Sequence, residues 1–224
     1  MDQTEYKIYI DDVIRRVENA RLKVSKHHIV KIVAVSKYST SQDIHKLYNI
    51  GQRAFGENKI QDLKTKAKEL ENLPIEWHFI GHLQKNKINN MLDLKPFLFH
   101  SLDSVELAFE IDKRLSLRGE KLSALLQINS AKEESKHGVM PQDAIEIYKK
   151  IQNECKNISL KGVMCIGAHS NDEKIVRKSF EQTYEIYQKI DGATICSMGM
   201  SGDFELAIEC GSNMLRLGSV LFQR

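Results

Sequence analysis

Lys31-Ile32-Val33-Ala34-Val35-Ser36-Lys37 is a short, β-branched run that ends abruptly in polar residues. An apolar stretch of this length without alternation reads as a strand buried on both faces. A helical pattern follows from Ser41 to Ile50, with Ser41 as the expected N-cap and Gly51 as the expected C-cap. The same unit then repeats. Residues 54–57, 77–81, 97–100, 123–128, 160–166, 194–197 and 214–217 read as further short strands. Helical segments separate them: a charged one running to about Leu70, then 84–92, 103–117, 141–154, 171–190 and 204–210. An opening helix over 4–26 carries Tyr6, Ile10, Val13, Ile14, Val17 and Leu22 at roughly helical spacing. Eight strands alternating with seven helices imply parallel βαβ units, and eight such units suggest a closed (β/α)8 barrel of the TIM type. An open doubly wound sheet is the runner-up. The opening helix could stand in for the missing eighth outer helix. No linker, repeat or composition break divides residues 1–224, so one domain is expected.

Composition narrows the function classes. Apolar residues make up 42% and charged residues 28% of 224, which excludes a disordered chain. Thirty-three Lys plus Arg against 30 Asp plus Glu give a net charge of +3, too balanced to imply a nucleic-acid partner. With 7% aromatics, a stacking platform for single strands is poorly supplied. The longest apolar runs are a few residues, whereas a spanning helix needs ~20. Met-Asp-Gln-Thr-Glu lacks the features of a signal peptide, so a cytoplasmic protein without a membrane partner is expected. Cys155, Cys165, Cys196 and Cys210 show no CxxC spacing and read as reduced packing thiols.

In a barrel of this kind the active face lies at the C-terminal ends of the strands. Those ends carry Lys37, Glu57-Asn58, residues 78–82, His100-Ser101, Asn129-Ser130, His169-Ser170, residues 197–203 and residues 216–219. Loops are polar in any barrel, which accounts for most of this ring. Lys37 stands out because a free amine at a buried strand end can form a Schiff base with a carbonyl; a lysine snorkelling to solvent is the plainer reading. Ser197-Met-Gly-Met-Ser201-Gly-Asp203 is glycine-rich and leads into a helix, a setting that suits an anion. Gly218-Ser219 follows the eighth strand, and phosphate sites recur after strands seven and eight of such barrels. A tight turn with a cap explains either segment alone. Together with an emerging lysine they point to a phosphate-bearing carbonyl ligand, and pyridoxal 5′-phosphate (PLP) meets both requirements. Arg216 is then a candidate partner of the pyridine nitrogen.

Other motifs carry less. Gly199 to Asp203 lacks the second glycine of a nucleophile elbow. His78 and His82 have HxxxH spacing, but Gly81 and the strand pattern deny them one helical face, so no metal site is expected. Lys64, Lys66 and Lys68 read as a solvated helix face, while Lys85 and Lys87 lie close enough to the third-strand rim to leave a ligand-facing role open.

Five motifs occur in order: Val35-Ser36-Lys37, Phe55-Gly56-Glu57-Asn58, the run from His78 to Lys87, Ser197 to Asp203, and Arg216-Leu217-Gly218-Ser219. In content and spacing the chain resembles the pyridoxal phosphate homeostasis proteins (YggS/PROSC family), which are similar to the barrel domain of alanine racemase. The resemblance covers nearly the whole chain. It implies a PLP fold type III barrel with the vitamin B6 cofactor held as an internal aldimine on Lys37. Ser201, Gly218 and Ser219 would hold the phosphate, Arg216 would face the pyridine nitrogen, and Asn58 and His78 would lie near the ring. It further implies PLP buffering or delivery with no catalytic residue. The expected partners are PLP and PLP-dependent apoenzymes, and the chain is expected to be a monomer. A PLP-dependent, racemase-like enzyme is the alternative. Such an enzyme needs a second acid/base, which Tyr38 or His169 would have to supply, because 224 residues are expected to leave no room for the extra domain.

Overall fold

A computed structural model describes residues 3–133 and 136–222. The chain opens with α1 (Gln3–Val24) and then alternates: β1 (Lys31–Val35), α2 (Ser41–Asn49), β2 (Ala54–Glu57), α3 (Ile60–Glu69), β3 (Glu76–Phe79), α4 (Ile88–Leu92), β4 (Leu98–Leu102), α5 (Val105–Arg118), β5 (Leu122–Ile128), α6 (Ala144–Glu154), β6 (Ile158–Cys165), α7 (Glu173–Gln188), β7 (Ile195–Ser197), α8 (Phe204–Glu209), β8 (Met214–Leu217) and α9 (Ser219–Phe222). All eight strands pair in parallel, in sequence order, and β8 closes on β1 through Lys31↔Met214 to Ala34↔Leu217. The barrel expected from the alternation is therefore the observed fold, and the open sheet is not.

Local chemistry explains several boundaries. Thr40, rather than Ser41, caps α2: its hydroxyl accepts the Asp43 N–H and the Asp43 carboxylate accepts the Thr40 N–H, a reciprocal capping box. Ile50 rather than Gly51 closes that helix. The third helix expected over 84–92 splits into a 3₁₀ turn (Lys85–Lys87) and the short α4. After β8 the chain forms α9, which the sequence reading left out; α1 packs beside it and against α8, with the Tyr6 ring edge-on to Phe222 and Arg16 paired to Glu205 at 2.7 Å.

The outer core lies between sheet and helices and is mainly apolar, with the buried Lys66–Glu57 pair as an exception. The barrel interior is divided. Its lower part is plugged by Val33, Ala54, Leu98, Leu125, Met164 and Met214. Burying each Val, Leu or Met among them contributes about 1.5–3 kcal/mol. Towards the C-terminal ends the inward positions turn polar, and the barrel opens. All four cysteines are free and buried. No helix among the described residues is long and apolar enough to cross a membrane.

Candidate cofactor-binding site

A cavity of about 720 Å³ sits at the C-terminal end of the barrel. Six residues that the sequence singles out lie on its wall: Lys37, Asn58, Ser201, Arg216, Gly218 and Ser219. They come from the ends of β1, β2, β7 and β8, so the parallel barrel alone brings them together.

His78 is placed differently. Strand alternation puts Ile80 on the cavity and leaves His78 one layer lower, fully buried. There its Nδ1 hydrogen-bonds His100 Nε2 at 2.8 Å, while His78 Nε2 and His100 Nδ1 have no partner. His78 Nε2 lies 3.9 Å from Glu76, but burial and the Lys31 ammonium push its pKa down to about 3, so the ring is neutral and forms no ion pair. Burial also drives His100 well below its usual value.

Arg216 is 5% exposed. Its Nη1 donates to the Ser197 carbonyl (3.0 Å) and hydroxyl (2.7 Å), and its Nη2 donates to the Cys165 carbonyl (2.7 Å). No carboxylate pairs with it among the described residues. Of its five N–H groups, Nε–H and one Nη2–H therefore have no protein acceptor there. Burial pushes its pKa down. Asn58 Oδ1 is likewise buried, on the cavity wall and without a partner. Ser201 ties the two glycine-rich loops together: its hydroxyl accepts the N–H of Gly218 (3.1 Å) and Val220 (3.4 Å). Two backbone N–H groups thus converge on one oxygen, the surroundings an anion favours.

Lys37 lies just past the end of β1, exposed, with its ammonium 5.0 Å from the centre of the Tyr38 ring. The residue before it is locked. Ser36 Oγ donates to Glu57 Oε1 at 2.6 Å, and Lys66 Nζ donates to both Glu57 Oε1 and the Ser36 carbonyl at 2.7 Å. Glu57 is fully buried, and burial raises its pKa against the pull of Lys66 and Ser36. Lys66 is thus not part of a solvated helix face. The amphipathic position it occupies on α3 is compatible with either fate, and only the packing of α3 against β2 decides it. Lys85 and Lys87 are exposed and take no part in the cavity wall. Sequence reasoning missed Gln127 and His137, which line the cavity together with His82, a residue it had placed on the rim without a role. Gln127 alone carries a sequence signal, as a polar residue within the apolar run of β5.

A parallel barrel with a lysine after the first strand and two glycine-containing loops tied together after the last two strands defines a class, and the alanine racemase N-terminal domain family matches residues 8–223. The chain is 58% identical to the pyridoxal phosphate homeostasis protein of Helicobacter pylori over 98% of this chain and 99% of that one. It belongs to the pyridoxal phosphate homeostasis protein family. Its structure superposes with a TM-score of 0.93 on a protein of unknown function from Bifidobacterium adolescentis, 32% identical, covering 99% and 97% of the two chains. PipY of Synechococcus elongatus, solved with PLP bound, is 29% identical with a TM-score of 0.79, covering 92% of this chain and 99% of PipY.

Proposed function

We propose that this chain binds PLP in the barrel-end cavity and serves PLP homeostasis by holding and releasing the cofactor. The observation that carries the reading is the set of unspent polar groups on one cavity: the exposed Lys37 amine, the carboxylate-free Arg216 guanidinium and the unpartnered Asn58 oxygen. The amine of Lys37 condenses with the cofactor's aldehyde to form an imine, the internal aldimine, and releases water. Ser201, Gly218 and Ser219 receive the phosphate. Arg216 meets the pyridine nitrogen as a donor, which keeps that nitrogen unprotonated and weakens the ring as an electron sink. His78 acts beneath the site by filling the barrel. The PLP-bound relative and the relatives' name support this assignment. Residues 1–224 then work as one cytoplasmic, monomeric PLP-binding barrel, with PLP-dependent apoenzymes as recipients.

A racemase-like reading has one observation in its favour, the Tyr38 side chain on the cavity wall beside Lys37. Two measurements decide. Protein mixed with PLP should show an absorbance band near ~420 nm that Lys37→Ala abolishes; absence of that band rejects the imine. Rapid Lys37-dependent racemisation of a free amino acid would instead reject the carrier role.

A further inference from the structure

Three loops on neighbouring strands meet at the cavity mouth. His82 follows β3, Asp103 follows β4 and His137 lies in the β5–α6 loop. His82 Nδ1 is 3.0 Å and His137 Nδ1 3.8 Å from the same oxygen, Asp103 Oδ2. The two imidazoles stack in parallel, 3.8 Å apart and tilted by 10°. All three donor atoms lie within 4.8 Å of one another. We propose that His82, Asp103 and His137 form a binding site for a divalent transition-metal ion of the zinc class at the lip of the cofactor cavity.

The donor set suits the ion once one imidazole turns out of the stack, because parallel rings cannot both aim in-plane lone pairs at one metal; both side chains, 43% and 59% exposed, have room to turn. Metal–ligand bonds of about 2.0–2.1 Å in a tetrahedron set donors roughly 3.3 Å apart, and the two measured separations bracket that value. Two imidazole nitrogens and one carboxylate oxygen suit Zn²⁺, Co²⁺ or Ni²⁺ and are too nitrogen-rich for Mg²⁺ or Ca²⁺. Three protein ligands leave a fourth position for water or an anion, and His82 and His137 both border the cavity. The Asp103 side chain is only 11% exposed, yet its ion-pair-range neighbours among the described residues are these two imidazoles and no Lys or Arg. Without metal, His82 donates its Nδ1–H to Asp103; with metal, it shifts to the Nε2–H tautomer and presents the Nδ1 lone pair.

The backbone also holds the ligands in place. A Cβ at Gly81 would stand 2.0 Å from the Asn58 carbonyl oxygen, so only glycine lets the His82 loop lie this close to the barrel. Gly138 has φ +126° and would press a Cβ to 2.7 Å from Asn129 N. The carbonyl of His137 accepts the Gln127 side-chain amide at 2.9 Å. Chain separation hides this site from the sequence: the ligands are 21 and 34 residues apart, as 103 − 82 and 137 − 103 give, with no motif spacing.

The test is titration of the full, untagged chain, stripped with chelator and dialysed. Zn²⁺ binding is followed by calorimetry and Co²⁺ binding by its visible absorption. One saturating equivalent per chain is expected. His82→Ala, His137→Ala and Asp103→Asn should each weaken it at least ~10-fold, since even outer-shell changes cost that much at metal sites, with circular dichroism unchanged. His137→Ala, on an exposed loop, keeps the test valid if Asp103→Asn fails to fold. No saturable equivalent, uptake of several weak equivalents, or undiminished binding by both histidine variants would overturn the site.

Discussion

Two buried basic regions of the barrel differ in what neutralises them. Outside the barrel wall, Lys66 has a fully buried carboxylate, Glu57, at 2.7 Å and a carbonyl beside it. Inside the barrel, Arg216, His78 and His100 have only neutral acceptors or each other. The first region spends its charge on structure, fixing Ser36 and hence the strand end from which Lys37 emerges. The second keeps its histidines neutral and leaves Arg216 with donors to spare towards the cavity. Burial of a cation is thus a poor guide to its role; the partner is what separates a structural clamp from a ligand-binding group.

Acid should destabilise the fold through the second region. Folded His78 stays neutral down to about pH 3, whereas its unfolded pKa is 6.5. Between these values the unfolded chain binds more protons, so stability is full above the upper value and is lost as pH falls. His78 alone accounts for a loss of about 4–5 kcal/mol across that window, and His100 adds in the same direction. Urea unfolding from neutral to acid pH checks this, and His78→Gln should flatten the profile. A level wild-type profile would mean the interior histidines are not held neutral.

Glu57→Ala probes the clamp. It strands Lys66 as a buried charge without its partner and should cost about 3–5 kcal/mol, read from denaturant midpoints at neutral pH. Arg216→Met sharpens the contrast. Because no carboxylate is abandoned and only the Ser197 and Cys165 acceptors lose their donor, stability should fall by about 1–3 kcal/mol, while the spectrum or affinity of added PLP changes. A collapse of stability would place Arg216 with the structural group instead. The smallest effect is expected at Thr40→Ala, where loss of the α2 cap costs about 1 kcal/mol without altering the Lys37-dependent band, as thermal melts and the same spectrum can check.

Much of this was legible in residue order. The alternation beginning at Lys31–Val35 specified eight parallel strands because fully buried strands leave an unbroken apolar signature, and the polar residues ending each strand fell on one rim because parallel strands share one C-terminal face. Lys37, Asn58, Ser201, Arg216, Gly218 and Ser219 could therefore be named and are found on one cavity. His78 was assigned one layer too high, since residue type does not reveal depth within a barrel. Lys66 and the histidines at positions 82 and 137 were unreadable for a related reason: a lysine on an amphipathic helix, or an isolated histidine in a loop, is defined by what packs against it. The sequence by itself determined the periodicity, the fold and the ring of rim residues. Only the tertiary structure decided which cations are paired, which polar atoms remain unspent and which distant loops touch, because those depend on register and close packing between segments far apart in the chain.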